Sequence, residues 1–156
     1  MHILLIANPA ARNGRAREFL QPVVAAFAEQ GITVTVEHTT CRGDAIERVQ
    51  HADLDGVDAL VAMGGDGTVF ETVNGLFRRK KGRKLPLGII PVGTGNAFVR
   101  DFGLDTAHWK DAVRCIVNGR TKAVDVAQFV CKDGTWQFLN IVGLVFVSDV
   151  CETAHK

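Results

Sequence analysis

The stretch "VAMGGDGTVF", residues 61–70, runs an apolar segment straight into three glycines around a single aspartate. Val57–Met63 reads as a buried strand, and Thr68–Phe77 as the helix that follows the glycine turn. The same alternation extends outward in both directions. Ile3–Ala7 is a strand ending at Asn8-Pro9. Arg15–Gln30 places Phe19, Leu20, Val23, Val24 and Phe27 at helical spacing, with Gly31 as its stop. Pro22 either kinks that helix or sets a later start. Ile32–Val36 alternates with threonine as a strand, Asp44–Ala52 reads as a helix, and residues 87–90 form a further strand. Asn96–Phe102 and Ala107–Val117 complete the helices.

Strands alternating with helices predict an α/β fold, a mostly parallel sheet flanked by helices, over residues 1–120. From residue 121 the pattern changes. Lys122–Val130 and Trp136–Phe146 are β-type runs joined at Asp133-Gly134, a hairpin signal, with no helix between them. They predict the first strands of a β-rich second lobe, an incomplete antiparallel unit over residues 121–156.

The 156 residues are 47% apolar and 22% charged, the balance of a globular chain with a real core. A net charge of +1 gives no field that would mark a nucleic-acid binder. No apolar run reaches the roughly 20 residues of a membrane span, and the N-terminus reads as a first strand rather than a signal peptide. Cysteines 41, 115, 131 and 151 form no Cys-x-x-Cys pair and suit reduced thiols in the cytoplasm. The run "RRKKGRK", Arg78–Lys84, is a solvated loop in its plain reading. In its sharper reading it is a transient peripheral contact with an anionic membrane face. His38, His51 and His108 stand singly and suit surface or packing roles, and Trp109 and Trp136 suit packing.

In a parallel sheet, ligands collect at the carboxyl ends of the strands. Three such ends here are unusual: "NPAARNGR", "GGDGT" and "PVGTGN". Glycine lets backbone amides approach an anion with no Cβ in the way, and a helix start adds partial positive charge. Gly64, Gly65 and Gly67 therefore read as a backbone phosphate cradle, with a tight turn capped by Asp66 as the alternative. Neither a Walker-type loop nor a Gly-x-Gly-x-x-Gly opening the first helix is present.

Taken together, "NP" after the first strand, "GGDGT" followed by Glu71 and "VNG", and "GIIPVGTGNAFVR" resemble the diacylglycerol kinase catalytic domain family. That family includes sphingosine kinases, ceramide kinases and bacterial lipid kinases. "VDVAQF" and "FLNIVGLVF" extend the resemblance over essentially the whole chain. GGDGT alone is shared with NAD kinases and, more loosely, phosphofructokinases; PVGTGN favours the lipid-kinase branch.

The resemblance implies ATP and Mg²⁺ as cofactors and a lipid acceptor at a membrane surface. It implies a nucleotide site formed by Asn8, Pro9, Ala10, Ala11, Arg12 and Thr40. Gly64, Gly65, Gly67 and Thr68 would wrap the phosphates, with Glu71 nearby. Gly93, Thr94, Gly95 and Asn96 would form the other wall. Asp66 is the implied catalytic residue, as a base toward the acceptor hydroxyl or a link to magnesium.

Several positions depart from the family pattern. Phe70 stands where asparagine is common, Arg12 where a glycine often falls, and Ala97 where many relatives have aspartate. Val145 and Val147 replace a glycine and an aspartate associated with the lipid head. Full-length relatives run to around twice this length, so the resemblance implies a fragment or a truncated member. An NAD-kinase-like enzyme and a non-catalytic nucleotide-binding module remain alternatives, and a homo-oligomer is left open.

Overall fold

A computed structural model describes residues 1–80 and 85–140. Its elements, in chain order, are β1 (His2–Ala7), α1 (Arg17–Ala28), β2 (Thr33–His38), α2 (Asp44–His51) and β3 (Ala59–Gly64). There follow α3 (Asp66–Arg78), β4 (Leu87–Pro91), α4 (Ala97–Arg100), α5 (Trp109–Val117), β5 (Ala127–Cys131) and β6 (Gly134–Phe138). The first four strands form one parallel sheet in the order β2-β1-β3-β4, and the last two form an antiparallel hairpin.

β1 from Ile3 onward and β3 are apolar because both of their faces are covered. Ile3, Leu5 and Ala7 alternate to one side, where Val23 and Phe27 of α1 and Val113 of α5 meet them. Leu4 and Ile6 turn the other way, against Ala45 and Val49 of α2. Val69 and Val73 of α3 close over Ala62 of β3. β2, an edge strand, keeps the threonine alternation and a half-exposed pattern.

The order of elements matches the sequence reading, and the boundaries shift for physical reasons. α1 runs straight through Pro22. The amide that proline lacks would have bonded the Glu18 carbonyl, and Pro22 lies on the exposed side, where water can take that role. The helix expected over Asn96–Phe102 is only Ala97–Arg100, because the chain reverses at Gly103 with φ +72°. The helix expected over Ala107–Val117 splits into a 3₁₀ turn, Thr106–His108, capped by the Asp105 carboxylate, and α5 proper. In the hairpin the turn is Lys132-Asp133, one residue earlier than the Asp133-Gly134 signal. Gly134 already pairs with Cys131 and opens β6 at φ +124°. Of the run expected over Lys122–Val130, only the part from Ala127 is strand. The expected strand beyond residue 140, with Val145 and Val147, lies outside the described residues, as do Cys151 and Lys81–Lys84.

One buried asparagine ties the hairpin to the main layer. Asn74 of α3 accepts the Gln137 N–H on Oδ1 at 2.9 Å and donates Nδ2 to the Gln137 carbonyl at 2.9 Å. It thereby pairs with β6 as a neighbouring strand would. Beside it, Trp136 stacks on Phe70, centroids 5.8 Å apart, and the Arg78 guanidinium lies over the same ring. Phe70, the departure from the family pattern, thus has a packing partner in the hairpin. Asn74→Ala strands both backbone groups of Gln137 at a buried site and is expected to cost about 2–3 kcal/mol. Urea unfolding followed by tryptophan fluorescence checks this.

Arg79 donates to the carbonyls of Val49, Gln50 and Ala52, closing the C-terminal end of α2. Two arginines of the Arg78–Lys84 stretch are therefore engaged within the fold, and Lys80 is exposed.

Candidate functional site

All four parallel strands end at the same edge of the sheet, so four loops meet there. Between them lies a cleft of about 600 Å³, with polar and apolar groups both in its walls.

The β1 loop enters through Asn8. Its Oδ1 accepts the Ala10 N–H at 3.0 Å, and its Nδ2 donates to Thr68 Oγ1 at 3.1 Å, joining the first loop to the first turn of α3. Ala10, Ala11 and Arg12 line the cleft beside it, whereas Pro9 does not. Arg12 and Asn13 both sit at φ +54°, followed by Gly14 at +83°. Arg12 therefore adopts the left-handed conformation that glycine takes most easily, at the position where a glycine often falls in the family.

The β2 loop contributes Thr40, whose N–H and Oγ1 both donate to Asp44 Oδ2, at 2.7 and 3.0 Å. The Thr40 amide, with help from Arg48, holds the Asp44 carboxyl below the usual carboxylate range. Glu71 faces this loop from α3. Its two carboxylate oxygens accept the N–H groups of Gly43 and Ala45, at 2.9 and 3.2 Å. Glu71 thus caps the start of α2 across the cleft as well as lining it. Thr39, Cys41, Arg42 and Ala45 also line the cleft and were missed by the sequence reading. The signal was present, since they follow β2 at the same sheet edge as the other loops.

The two glycine loops touch each other backbone to backbone. The Gly64 carbonyl accepts the N–H groups of Val92 and Gly93, both at 3.0 Å. A Cβ on Gly93 would collide with the Gly65 Cα and stand 2.8 Å from its nitrogen. A Cβ on Gly64 would lie 2.6 Å from the Cβ of Thr68. These glycines are required by packing. Gly67 is different: its φ is unexceptional, and a Cβ there meets nothing within 4 Å. It lies in the first turn of α3, where no side chain caps the helix. The helix starts at Asp66, two residues earlier than the sequence reading had it.

Asp66 is half-buried and does not itself line the cleft, although its neighbours Gly65 and Gly67 do. Its Oδ1 accepts the Phe98 N–H at 3.3 Å, and its Oδ2 would be 2.7 Å from a Cβ on Gly95. The glycine at 95 makes room for this carboxylate.

Thr94 lines the cleft with Gly65, Gly67, Thr68 and Gly93; Gly64, Gly95 and Asn96 do not. Asn96 is buried, at φ +52°, and works as a clamp. Its Oδ1 accepts the Gly93 N–H at 3.1 Å, and its Nδ2 donates to the Gly93 carbonyl at 2.9 Å and to Thr106 Oγ1 at 3.2 Å. Thr106, which no motif marks, donates its own hydroxyl to the same carbonyl. Among the described residues no group of three or more His, Cys, Asp or Glu is placed to hold a metal ion, and no helix is long and apolar enough to cross a membrane.

The sequence profile of the diacylglycerol kinase catalytic domain matches residues 2–129. A diacylglycerol kinase of Bacillus subtilis is 34% identical over 139 residues, covering 89% of this chain and 44% of that protein. Sphingosine kinase 2 of Arabidopsis thaliana is 32% identical over 164 residues, covering 99% of this chain and 34% of that one. A solved structure of a putative diacylglycerol kinase from Bacillus anthracis superposes with a TM-score of 0.68 at 36% identity, over 80% of this chain and 44% of that one. The chain spans less than half the length of these relatives. Parallel sheet, paired glycine loops and sequence agree: the chain belongs to the diacylglycerol kinase catalytic domain family.

Proposed function

We propose that this chain is the nucleotide-binding part of an ATP-dependent lipid kinase, which moves the γ-phosphoryl group of ATP to a lipid hydroxyl such as that of diacylglycerol or a sphingoid base. The observation that carries the reading is Gly67. Neither packing nor backbone conformation requires a glycine there, yet it opens the uncapped α3 within the cleft. A bound phosphate is the partner that would profit from the missing Cβ and the free helix start.

In this reading Gly65, Gly67 and Thr68 hold the phosphates, and Thr94 closes the opposite wall. Arg12 and Arg42 add positive charge, and Asn8, Ala10, Ala11 and Thr40 shape the nucleotide end. Glu71 keeps the β2 loop in register by capping α2. Pro9, Gly64, Gly95 and Asn96 support the loops from outside the cleft.

Asp66 supplies one carboxylate at the loop junction. That is a fitting donor for Mg²⁺, which commonly takes one or two protein carboxylates and completes its shell with phosphates and water. When bound, Mg²⁺ would neutralise charge on the transferring phosphates. As the base, Asp66 accepts the proton of the acceptor hydroxyl while its oxygen bonds to the γ-phosphorus and ADP leaves. A lipid acceptor brings the protein to a membrane surface, as a peripheral contact at the cytoplasmic face. Lys80 is the exposed charge that the described part of the basic stretch contributes.

Titration with ATP–Mg²⁺ tests the cradle. Gly67→Ala is expected to lower affinity on the order of tenfold, about 1.4 kcal/mol. It should leave stability unchanged or raise it by up to about 1 kcal/mol, since alanine is the better helix former. A chain that does not bind ATP, or a Gly67→Ala variant that binds it equally well, would overturn the reading. ATP binding in the active assembly without lipid phosphorylation would point to the non-catalytic module instead.

A further inference from the structure

Gly93 has both of its backbone groups engaged by the fold. Its N–H is shared between the Gly64 carbonyl, at 3.0 Å, and Asn96 Oδ1, at 3.1 Å. Its carbonyl accepts from Asn96 Nδ2 at 2.9 Å and from the Thr106 hydroxyl at 3.1 Å. Gly93 lines the cleft, yet it has no amide left to offer a ligand there. The next amide along the loop is that of Thr94. It enters no hydrogen bond among the described residues, and Thr94 is exposed in the cleft wall.

The carbonyl of Gly93 and the N–H of Thr94 belong to one peptide group. That peptide bond is trans, so the two groups lie in one plane and point in opposite directions. Whatever holds the carbonyl therefore aims the amide. Asn96 and Thr106, which hold it, both lie outside the cleft lining, and the Thr94 N–H is turned away from them.

Thr106 reaches the loop from a separate segment, the 3₁₀ turn Thr106–His108. The Asp105 carboxylate fixes that turn by accepting the N–H groups of Ala107 and His108, at 2.7 and 3.3 Å. The Thr106 oxygen accepts from Asn96 Nδ2 at 3.2 Å while its proton goes to the Gly93 carbonyl. A hydroxyl can do both, since it donates and accepts at one atom. Asn96 is buried, so losing that hydroxyl would release one hold on the carbonyl and leave Asn96 short of a partner.

We propose that Thr106 is a positioning residue for the nucleotide: through the Gly93 carbonyl it aims the Thr94 N–H at a phosphate oxygen bound in the cleft. The proposal rests on the nucleotide reading of the cleft, and adds to it a donor and the residue that orients that donor. An amide fixed before the ligand arrives binds without the cost of ordering it, whereas a peptide free to swivel must first be ordered.

The test titrates the chain with ATP–Mg²⁺ and reads both the dissociation constant and the Thr94 amide resonance in a ¹⁵N–¹H spectrum. In the parent, the Thr94 amide proton should move downfield on binding. Thr106→Val keeps the shape of the side chain and removes the hydroxyl. It is expected to raise the dissociation constant about fivefold, the worth of one hydrogen bond, and to shrink the Thr94 shift at saturating ATP. Thr106→Ser keeps the hydroxyl and should bind within about twofold of the parent. A loss caused by weakened packing would not be restored by serine, which lacks the methyl group, and would leave the Thr94 shift at saturation intact. Should the valine variant fail to fold, Thr106→Ala takes its place, since alanine differs from serine only by the hydroxyl. Equal binding by the parent and the variant without the hydroxyl overturns the proposal and leaves the nucleotide reading standing. So does a Thr94 amide that ignores bound ATP, or a serine variant as weak as the valine one. A parent chain that does not bind ATP overturns both.

Discussion

Asp66→Asn is expected to lower the rate of phosphoryl transfer by about 10³-fold, with little change in ATP affinity or stability. Asparagine has the shape of aspartate, and its side-chain oxygen can still accept the Phe98 N–H that positions residue 66. The space opened by Gly95 accommodates either side chain. The negative charge and the ability to take a proton are lost, and a base or a magnesium link needs both or one of these. ATP affinity should hold because Asp66 is not among the residues that line the cleft. Labelled-ATP transfer to a lipid acceptor, measured with the active kinase beside an ATP titration, separates the two effects. A variant that transfers phosphate within tenfold of the parent would remove Asp66 from the chemistry and leave it as a loop support.

Gly93→Ala should have the largest effect on stability among the loop substitutions, about 3 kcal/mol. For a chain of this size that corresponds to a melting temperature lower by about 6–12 °C. The added methyl group would strike the Cα of Gly65, which belongs to another loop's backbone and has no side chain to move aside. Relief requires the two loops to separate. That would break the paired hydrogen bonds from Val92 and Gly93 to the Gly64 carbonyl, and loosen the clamp that Asn96 and Thr106 place on Gly93. Thermal unfolding by circular dichroism reads the loss directly. Set beside Gly67→Ala, which should affect binding and spare the fold, it separates the two uses of glycine at this site. A Gly93→Ala protein that melts with the parent would mean that the loops do not approach as closely as the structure has them.

Residues 61–70 and the alternation around them were enough to read a parallel α/β layer with its loops at one edge, because strand and helix periodicity are local properties. The two glycine-rich loops were legible for the same reason. Their composition is unusual wherever the chain puts them, and parallel topology sends them to a common edge. What the residues by themselves did not show is how each member of those motifs is used. Gly64, Gly93 and Gly95 look like Gly67, but a Cβ at the first three meets a neighbour and at the fourth meets open space. Glu71 reads as a ligand-side acid and, while lining the cleft, also caps α2; Arg79 reads as a surface charge and closes the other end of the same helix.

Arg12 lies between these two cases. Its departure from a glycine position was visible in the sequence, and its φ of +54° shows the conformation still being held by a residue that adopts it less easily. By itself the sequence determined the order of elements, the family resemblance and the sheet edge where the candidate site lies, since all of these follow from local pattern and composition. Tertiary structure alone decided at which glycines a Cβ would meet a neighbour and at which it would not, and that the Asp66 carboxylate accepts the Phe98 N–H. Most of these depend on how closely the β3 and β4 loops approach, Gly65 against Gly93 and Asp66 against Gly95 and Phe98, and no periodicity encodes that distance.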